Sequence, residues 1–298
     1  MVLGQLPELL IQGAMVSAVY ALIAIGFTMI FGVGGVLNLA HGALIMAGAY
    51  VFGLLVRDTF VGWLTLPPLV AFPVAVAIVA LMSLALYEVL VRWIEENVVI
   101  TFLATVIVAV IGTELALFYF GSPNLGMSLV PGSLNLAEYG IGMRIRYVQL
   151  IGFVVSWVVI GLLWYYITQT DDGRSILAAS MSERGAVLTA VNLHAVRAKT
   201  WLIAGGLAGI AGVFLGSADG ATPMMWLNPL ALAFIIVVIG GIGSVKGSVV
   251  AAYLIGYLEQ FTVTFIGHQF RGILSLVLLL LFILYLPQGL YGREFTHE

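Results

Sequence analysis

The chain has no cysteine in its 298 residues, and only 8% of them are charged. The first absence excludes a disulfide framework and thiolate metal sites. The second excludes more. A soluble domain carries about 25% charged residues because its surface must stay wet, and this chain cannot coat a globule in that way. Eleven basic and fourteen acidic residues leave a net charge of −3, with no basic run to hold nucleic acid. A basic stretch is also missing from the opening "MVLGQLPELLIQGAMVSAVYALIAIGF". Its apolar run is too long for a signal-peptide core, so it is expected to be a membrane span. The histidines, His41, His194, His268 and His297, are scattered. They form no H-E-x-x-H motif, and G-x-S-x-G is absent too, which leaves a membrane-embedded hydrolase without a signature.

What is present is apolar: 62% of the residues, with a mean hydropathy of +1.15. A helical span needs about 20 apolar residues to cross a hydrocarbon core of about 30 Å. Candidates are 9–31, 39–56, 69–91, 98–120, 148–167, 200–216, 230–241, 248–266 and 273–286. The seventh is short and ends in glycines, so it reads either as a half-helix or as a segment continuing through them. The ten-residue alternation of barrel strands is absent. The expected fold is therefore all-α: a polytopic integral membrane protein of eight to nine transmembrane helices, some glycine-broken or re-entrant, in one domain over 1–298. Segment 169–199 carries Arg174, Arg184, Arg197 and Lys199, four of the eleven basic residues, whereas 218–228 carries none. The excess of basic residues on the cytoplasmic side then places 169–199 inside and 218–228 outside. Arg144 and Arg146, in an outer loop, run against that rule.

Two glycine clusters interrupt the apolar pattern. Gly32, Gly34 and Gly35 precede "LNLAHG", and Gly240, Gly241, Gly243 and Gly247 punctuate "GGIGSVKG". Glycine weakens helices, and broken backbone at membrane depth survives only where protein or a wet cavity satisfies it. If the second helix begins near Asn38, Asn38 and His41 share a face and either cap the break or line a polar path. The second cluster is not a nucleotide loop: the pattern needs glycine before the lysine, and Val245 precedes Lys246. Glu88, Glu114 and Glu259 fall in or near spans, where acids are costly and default to functional candidates. Glu88 has Arg92 at i+4 as a partner. Glu114 and Glu259 lie deeper, as path or packing residues. Gly205, Gly209, Gly212 and Gly216 give one helix a face for close packing, within the chain or against another subunit. In 169–199, Leu177, Met181 and Leu188 fall on one stripe, and Gly185 is expected to bend the chain after one short amphipathic helix. Such a helix lies on a membrane surface or enters a groove on another protein.

"YALIAIGFTMIFGVGGVLNLAHGALIMAGAY", "GRSILAASMSERGAVLTAVNL", "AGGLAGIAGVFLG", "VVIGGIGSVKGSVVAAYLIG" and "LPQGLYG" resemble, in order, signatures of the permease subunits of branched-chain amino acid ABC importers. These are the LivH/LivM type, and the chain is more similar to LivH. One departure is Leu177, where that family's coupling segment usually has a second arginine. The resemblance implies a transport subunit that is not an enzyme, holds no cofactor, and leaves ATP to two cytoplasmic ATPase subunits. It also implies a sister permease or a second copy, an external substrate-binding protein, and a location in a prokaryotic inner membrane. Carried over residue by residue, it assigns Gly173, Arg174, Leu177, Met181, Glu183, Arg184, Gly185 and Leu188 to the ATPase contact. Asn38 and His41 fall in the broken-helix signature beside the path. A self-sufficient secondary transporter is the alternative; its ion-coupling groups would have to be Glu114, Glu259 and His41.

Overall fold

The structure is a computed structural model that describes residues 2–57, 65–135, 143–286 and 288–291. Its helices are α1 (Val2–Gly34), α2 (Ala40–Val56), α3 (Pro68–Val89), α4 (Val98–Phe120), α5 (Tyr147–Gln169), α6 (Asp171–Met181), α7 (Glu183–Leu188), α8 (Leu193–Asp219), α9 (Leu227–Gly240), α10 (Val245–Phe261) and α11 (Ile273–Tyr285). A short antiparallel pair, β1 (Ser133–Asn135) and β2 (Arg144–Arg146), closes the connection between α4 and α5. Among the described residues, seven helical segments are long and apolar enough to cross a membrane. The helices α2 and α9, also apolar, are shorter, with 17 and 14 residues.

The core runs along α1 and α8. In their most apolar windows, 83% of α1 and 67% of α8 are buried, against 22% for α3 and for α4. The outer helices accordingly turn rows such as Leu103, Ile107 and Ile111 away from the protein. Small residues bring the axis together. On α8, Gly205 lies against Ser83 of α3, Gly209 against Gly48 of α2, Gly212 against the Ile45 carbonyl, and Gly216 against Ala49. The glycine face found in the sequence therefore packs within the chain. Without that close approach, dispersion between apolar helices has little to work with, since lipid tails are equally apolar. Across α1, the Thr28 and Ser248 hydroxyls bond at 2.5 Å, and Gly256 of α10 sits on Ser17.

Two ends are distinct. Arg92, Arg174, Arg184, Arg197, Lys199 and Lys246 lie at the end carrying α6 and α7, whereas Arg57, Arg144, Arg146 and Arg271 lie at the other. At that second end, the Leu125–Ala221 bridge ties the α4–α5 and α8–α9 connections, and Arg57 donates to the Gly126 carbonyl.

Two expectations about element ends need correction, and one open alternative is decided. The bend inside 169–199 falls at Ser182, not at Gly185. The Ser182 hydroxyl accepts from the Gly185 N–H at 3.1 Å and starts a second helix that contains the glycine, as side-chain caps favour. Residues 193–199 are not connecting loop but the first turns of α8, started by Asn192, whose side chain accepts from the Ala195 N–H at 3.1 Å. Of the two alternatives for the seventh segment, the short helix holds: α9 stops at Gly240, and Gly241 has φ +98°, a left-handed value that only glycine adopts at little cost.

Candidate functional site

The first break is built by backbone geometry. The helix α1 ends at Gly34, Gly35 turns the chain with φ +60°, and residues 35–38 are not helical. Leu39 N–H donates to the Thr105 hydroxyl of α4 at 3.2 Å, so a neighbouring helix satisfies the freed backbone as burial requires. His41 Nε2 lies 3.2 Å from the Ile23 carbonyl, and its ring meets Phe27 edge-on. Ile23 is about three helical turns before the end of α1 at 3.6 residues per turn. The short helix α2 therefore starts partway along α1 rather than at its end. Because α2 begins at Ala40, Asn38 is not part of it, and the shared helical face expected for Asn38 and His41 does not form. Neither side chain caps the α2 N-terminus. Asn38 is 1% exposed, and both of its amide atoms lack a partner, as does His41 Nδ1.

The second glycine cluster meets the first. Gly32 of α1 packs on the Cα of Gly243, which turns with φ +79°. Ser244 accepts from the Gly247 N–H at 3.1 Å to start α10, and Gly240 faces the Gly247 backbone. The tail closes this turn through Leu290 N–H on the Ile239 carbonyl and Tyr291 N–H on the Gly240 carbonyl, at 2.8 and 3.0 Å.

The carboxylates are dispersed. Glu114 is on the exposed face of α4. Glu88 pairs with Arg92 at 3.1 Å and with His194 at 2.8 Å. Glu259 is 2% exposed; it accepts from the Gly272 N–H at 3.1 Å and from the Ser275 hydroxyl, and faces Arg271 Nε at 3.6 Å. Arg271 in turn donates to the Tyr20 hydroxyl. Glu259 borders a cavity of about 220 Å³ that opens between α1, α5, α8 and α10, at the end away from α6 and α7. Arg146, Asp219 and Arg271 line it as well. Sequence reasoning passed over these three. The available signal was Arg271, a lone cation between two apolar runs.

At the opposite end, α6 and α7 are anchored by Gly173, Ile176, Ala179 and Ala186, which are buried. Thr170 caps α6 by accepting from the Gly173 N–H at 3.0 Å. Leu177, Met181, Val187 and Leu188 face outward, with Leu188 87% exposed. Arg174, Glu183 and Arg184 are exposed beside them, and Gly185 is half-buried. Two ion pairs fix this surface to α8, Lys199–Asp172 at 2.6 Å and Arg197–Glu183 at 2.5 Å, and Arg197 also pairs with Glu95 of the α3–α4 connection at 2.7 Å. Burial pushes the Glu95 carboxyl above its ordinary range, against the pull of the Arg197 guanidinium.

The arrangement comprises a broken helix at depth, a polar cavity at one end, and an anchored surface with a free apolar stripe at the other. It has known relatives. The permease protein BraD of the high-affinity branched-chain amino acid transport system of Pseudomonas aeruginosa is 29% identical over 291 residues, covering 95% of each chain. LivH of Escherichia coli, the permease protein of a system described in the same words, is 27% identical over 301 residues, covering 95% of this chain and 94% of its own. A probable LivH from Methanocaldococcus jannaschii is 24% identical over 304 residues, covering 96% and 93%. No solved structure matches. The family described as "Branched-chain amino acid transport system / permease component" matches residues 9–286, and the chain belongs to it.

Proposed function

We propose that this chain is the membrane-spanning permease subunit of an ATP-binding-cassette importer for branched-chain or closely related amino acids. The observation that carries the reading is the family match over residues 9–286, together with the free apolar stripe on α6 and α7 at the more basic end. That end faces the cytoplasm of a prokaryotic cell, by the bias of lysine and arginine. Two ATPase subunits grip Leu177, Met181 and Leu188, an amphipathic helix entering a groove. Their movement reaches α8 through Arg197 and Lys199. From α8 it passes into α2 and α3, which the glycine face holds in contact. An external binding protein delivers the amino acid, and a sister permease or a second copy completes the pore. The broken segment before α2 lies beside the route, with Asn38 and His41 as its polar lining and the two touching glycine turns as hinges. ATP is used by the partner subunits, and this chain supplies no cofactor site.

The test is reconstitution. The chain, its sister permease and the ATPases are placed in liposomes, with the binding protein outside and ATP inside. Uptake of labelled L-leucine that requires both ATP and the ATPases is expected. Uptake by the chain alone, driven by an ion gradient, would sink the reading.

A further inference from the structure

The cavity beside Glu259 has a charge pattern that the transport reading leaves unused. We propose that it is a transient binding site for a free α-amino acid in zwitterionic form, a step that rests on the proposed transport function. Arg146 and Arg271 with Asp219 and Glu259 line it, two fixed cations against two anions, and His268 is the further titratable group on its wall. A ligand with net charge would leave one charge uncompensated beside Arg271 and Glu259, whose side chains are only 28% and 3% exposed and so weakly screened. A dipolar ligand would not.

The four groups are not equally occupied. Glu259 is already satisfied by Gly272, Ser275 and Arg271. Its role is to hold Arg271 in place. Arg271 spends one donor on Tyr20 and turns its buried Nε toward Glu259; its side chain is still 28% exposed, and the remaining guanidinium N–H groups keep capacity for a carboxylate. Asp219 is 66% exposed at its side chain and has only a long contact, 3.6 Å, to Arg146. That leaves its oxygens available to an ammonium, and Asp219 is close enough to act electrostatically on Arg271. Beside the charged rim, Val16 of α1 with Phe214 and Leu215 of α8 form an apolar wall. A volume of about 220 Å³ holds an amino acid with a branched aliphatic side chain. In the proposed pose the carboxylate meets Arg271, the ammonium meets Asp219, and the side chain lies on Val16 and Phe214.

The lack of native cysteine supplies the assay. V16C, and L215C as a second variant, each place a single thiol in the wall, and S133C serves as an exposed control. The complete complex in liposomes is treated with N-methylmaleimide, and modification of this chain is read by mass. L-Leucine should slow modification at the wall by about tenfold, the effect of about 1.4 kcal/mol of occupancy, and leave S133C unchanged. Leucinamide and N-acetylleucine, each lacking one charge, should not protect, and D219N should abolish protection by leucine. Import of leucine without protection overturns the site alone. Equal protection by leucinamide, or protection that follows phosphatidylethanolamine content instead of leucine, also overturns it. A complex that imports no leucine overturns the transport reading and this site with it.

Discussion

Gly212 and Gly206 occupy the same helix and differ only in what faces them. A Cβ at Gly212 would strike the Ile45 carbonyl, which is backbone and cannot step aside, whereas at Gly206 it would meet Ala80 Cβ at 3.9 Å, an ordinary contact. Gly212→Val is therefore expected to cost about 1–3 kcal/mol through overpacking, seen as a lower thermal midpoint of the purified protein in detergent. Gly206→Ala should leave the midpoint unchanged or raise it, because alanine is the better helix former by up to about 1 kcal/mol. Equal losses at both positions would contradict the packing described for α8. Asn38 is a different case. Its amide is buried without a partner, a state that costs about 1–3 kcal/mol, so Asn38→Leu should not lower the midpoint. If Asn38 lines the route, leucine uptake by the reconstituted complex should fall by about tenfold, the weight of one lost polar contact. Unaltered uptake would return Asn38 to a packing role.

At the scale of elements, α6 and α7 form a surface whose buried side holds it and whose exposed side is free. Leu188 and Met181 are 87% and 59% exposed, so Leu188→Asp and Met181→Asp should leave the fold intact. Each should weaken co-purification of the ATPase subunits by about tenfold to a hundredfold, as expected for an apolar anchor worth about 1.5–3 kcal/mol. Retention of the ATPases at wild-type levels by the double variant would remove the docking assignment. Leu177 and Met181 were legible because they recur at helical spacing within α6, whereas Leu188 lies on α7 beyond the break at Ser182; the apolar spans were legible because length and composition nearly fix them. The break point was not. Gly185 and Ser182 both read as interruptions, and only the bond from the Gly185 N–H to the Ser182 hydroxyl shows that the cap takes precedence. The cavity was not legible either. Tyr20 and Arg271 are 251 positions apart, and no local pattern signals a contact between the first helix and the connection before α11. Glu259 stood out as an intramembrane acid, but its satisfaction by Gly272 and Ser275 is a property of the turn before α11.

For the whole molecule, the functional division is between two ends joined by the α1–α8 axis. The Lys199–Asp172 pair at the more basic end is solvent-exposed, and such a pair contributes little to stability, whereas Arg197 is only 17% exposed between Glu183 and Glu95. The value of these pairs lies in register: Arg197 and Lys199 hold α6 and α7 at a fixed place on α8. The charged cavity lies at the far end of that same helix, bordered by Phe214 and Asp219. A push on α6 and α7 thus acts on one helix whose other end borders the cavity, provided the two ends face opposite sides of the membrane. That geometry can be checked directly, because the native chain has no thiol. Arg184→Cys, exposed on α7, and Ser133→Cys, exposed on β1, are labelled in intact cells with a membrane-impermeant maleimide. Ser133→Cys should react at once, and Arg184→Cys only after the membrane is opened. The reverse pattern would invert the molecule and place the apolar stripe where no ATPase reaches it. Reaction of both without lysis would mean that α6–α7 and the β1–β2 end do not lie on opposite sides of the bilayer.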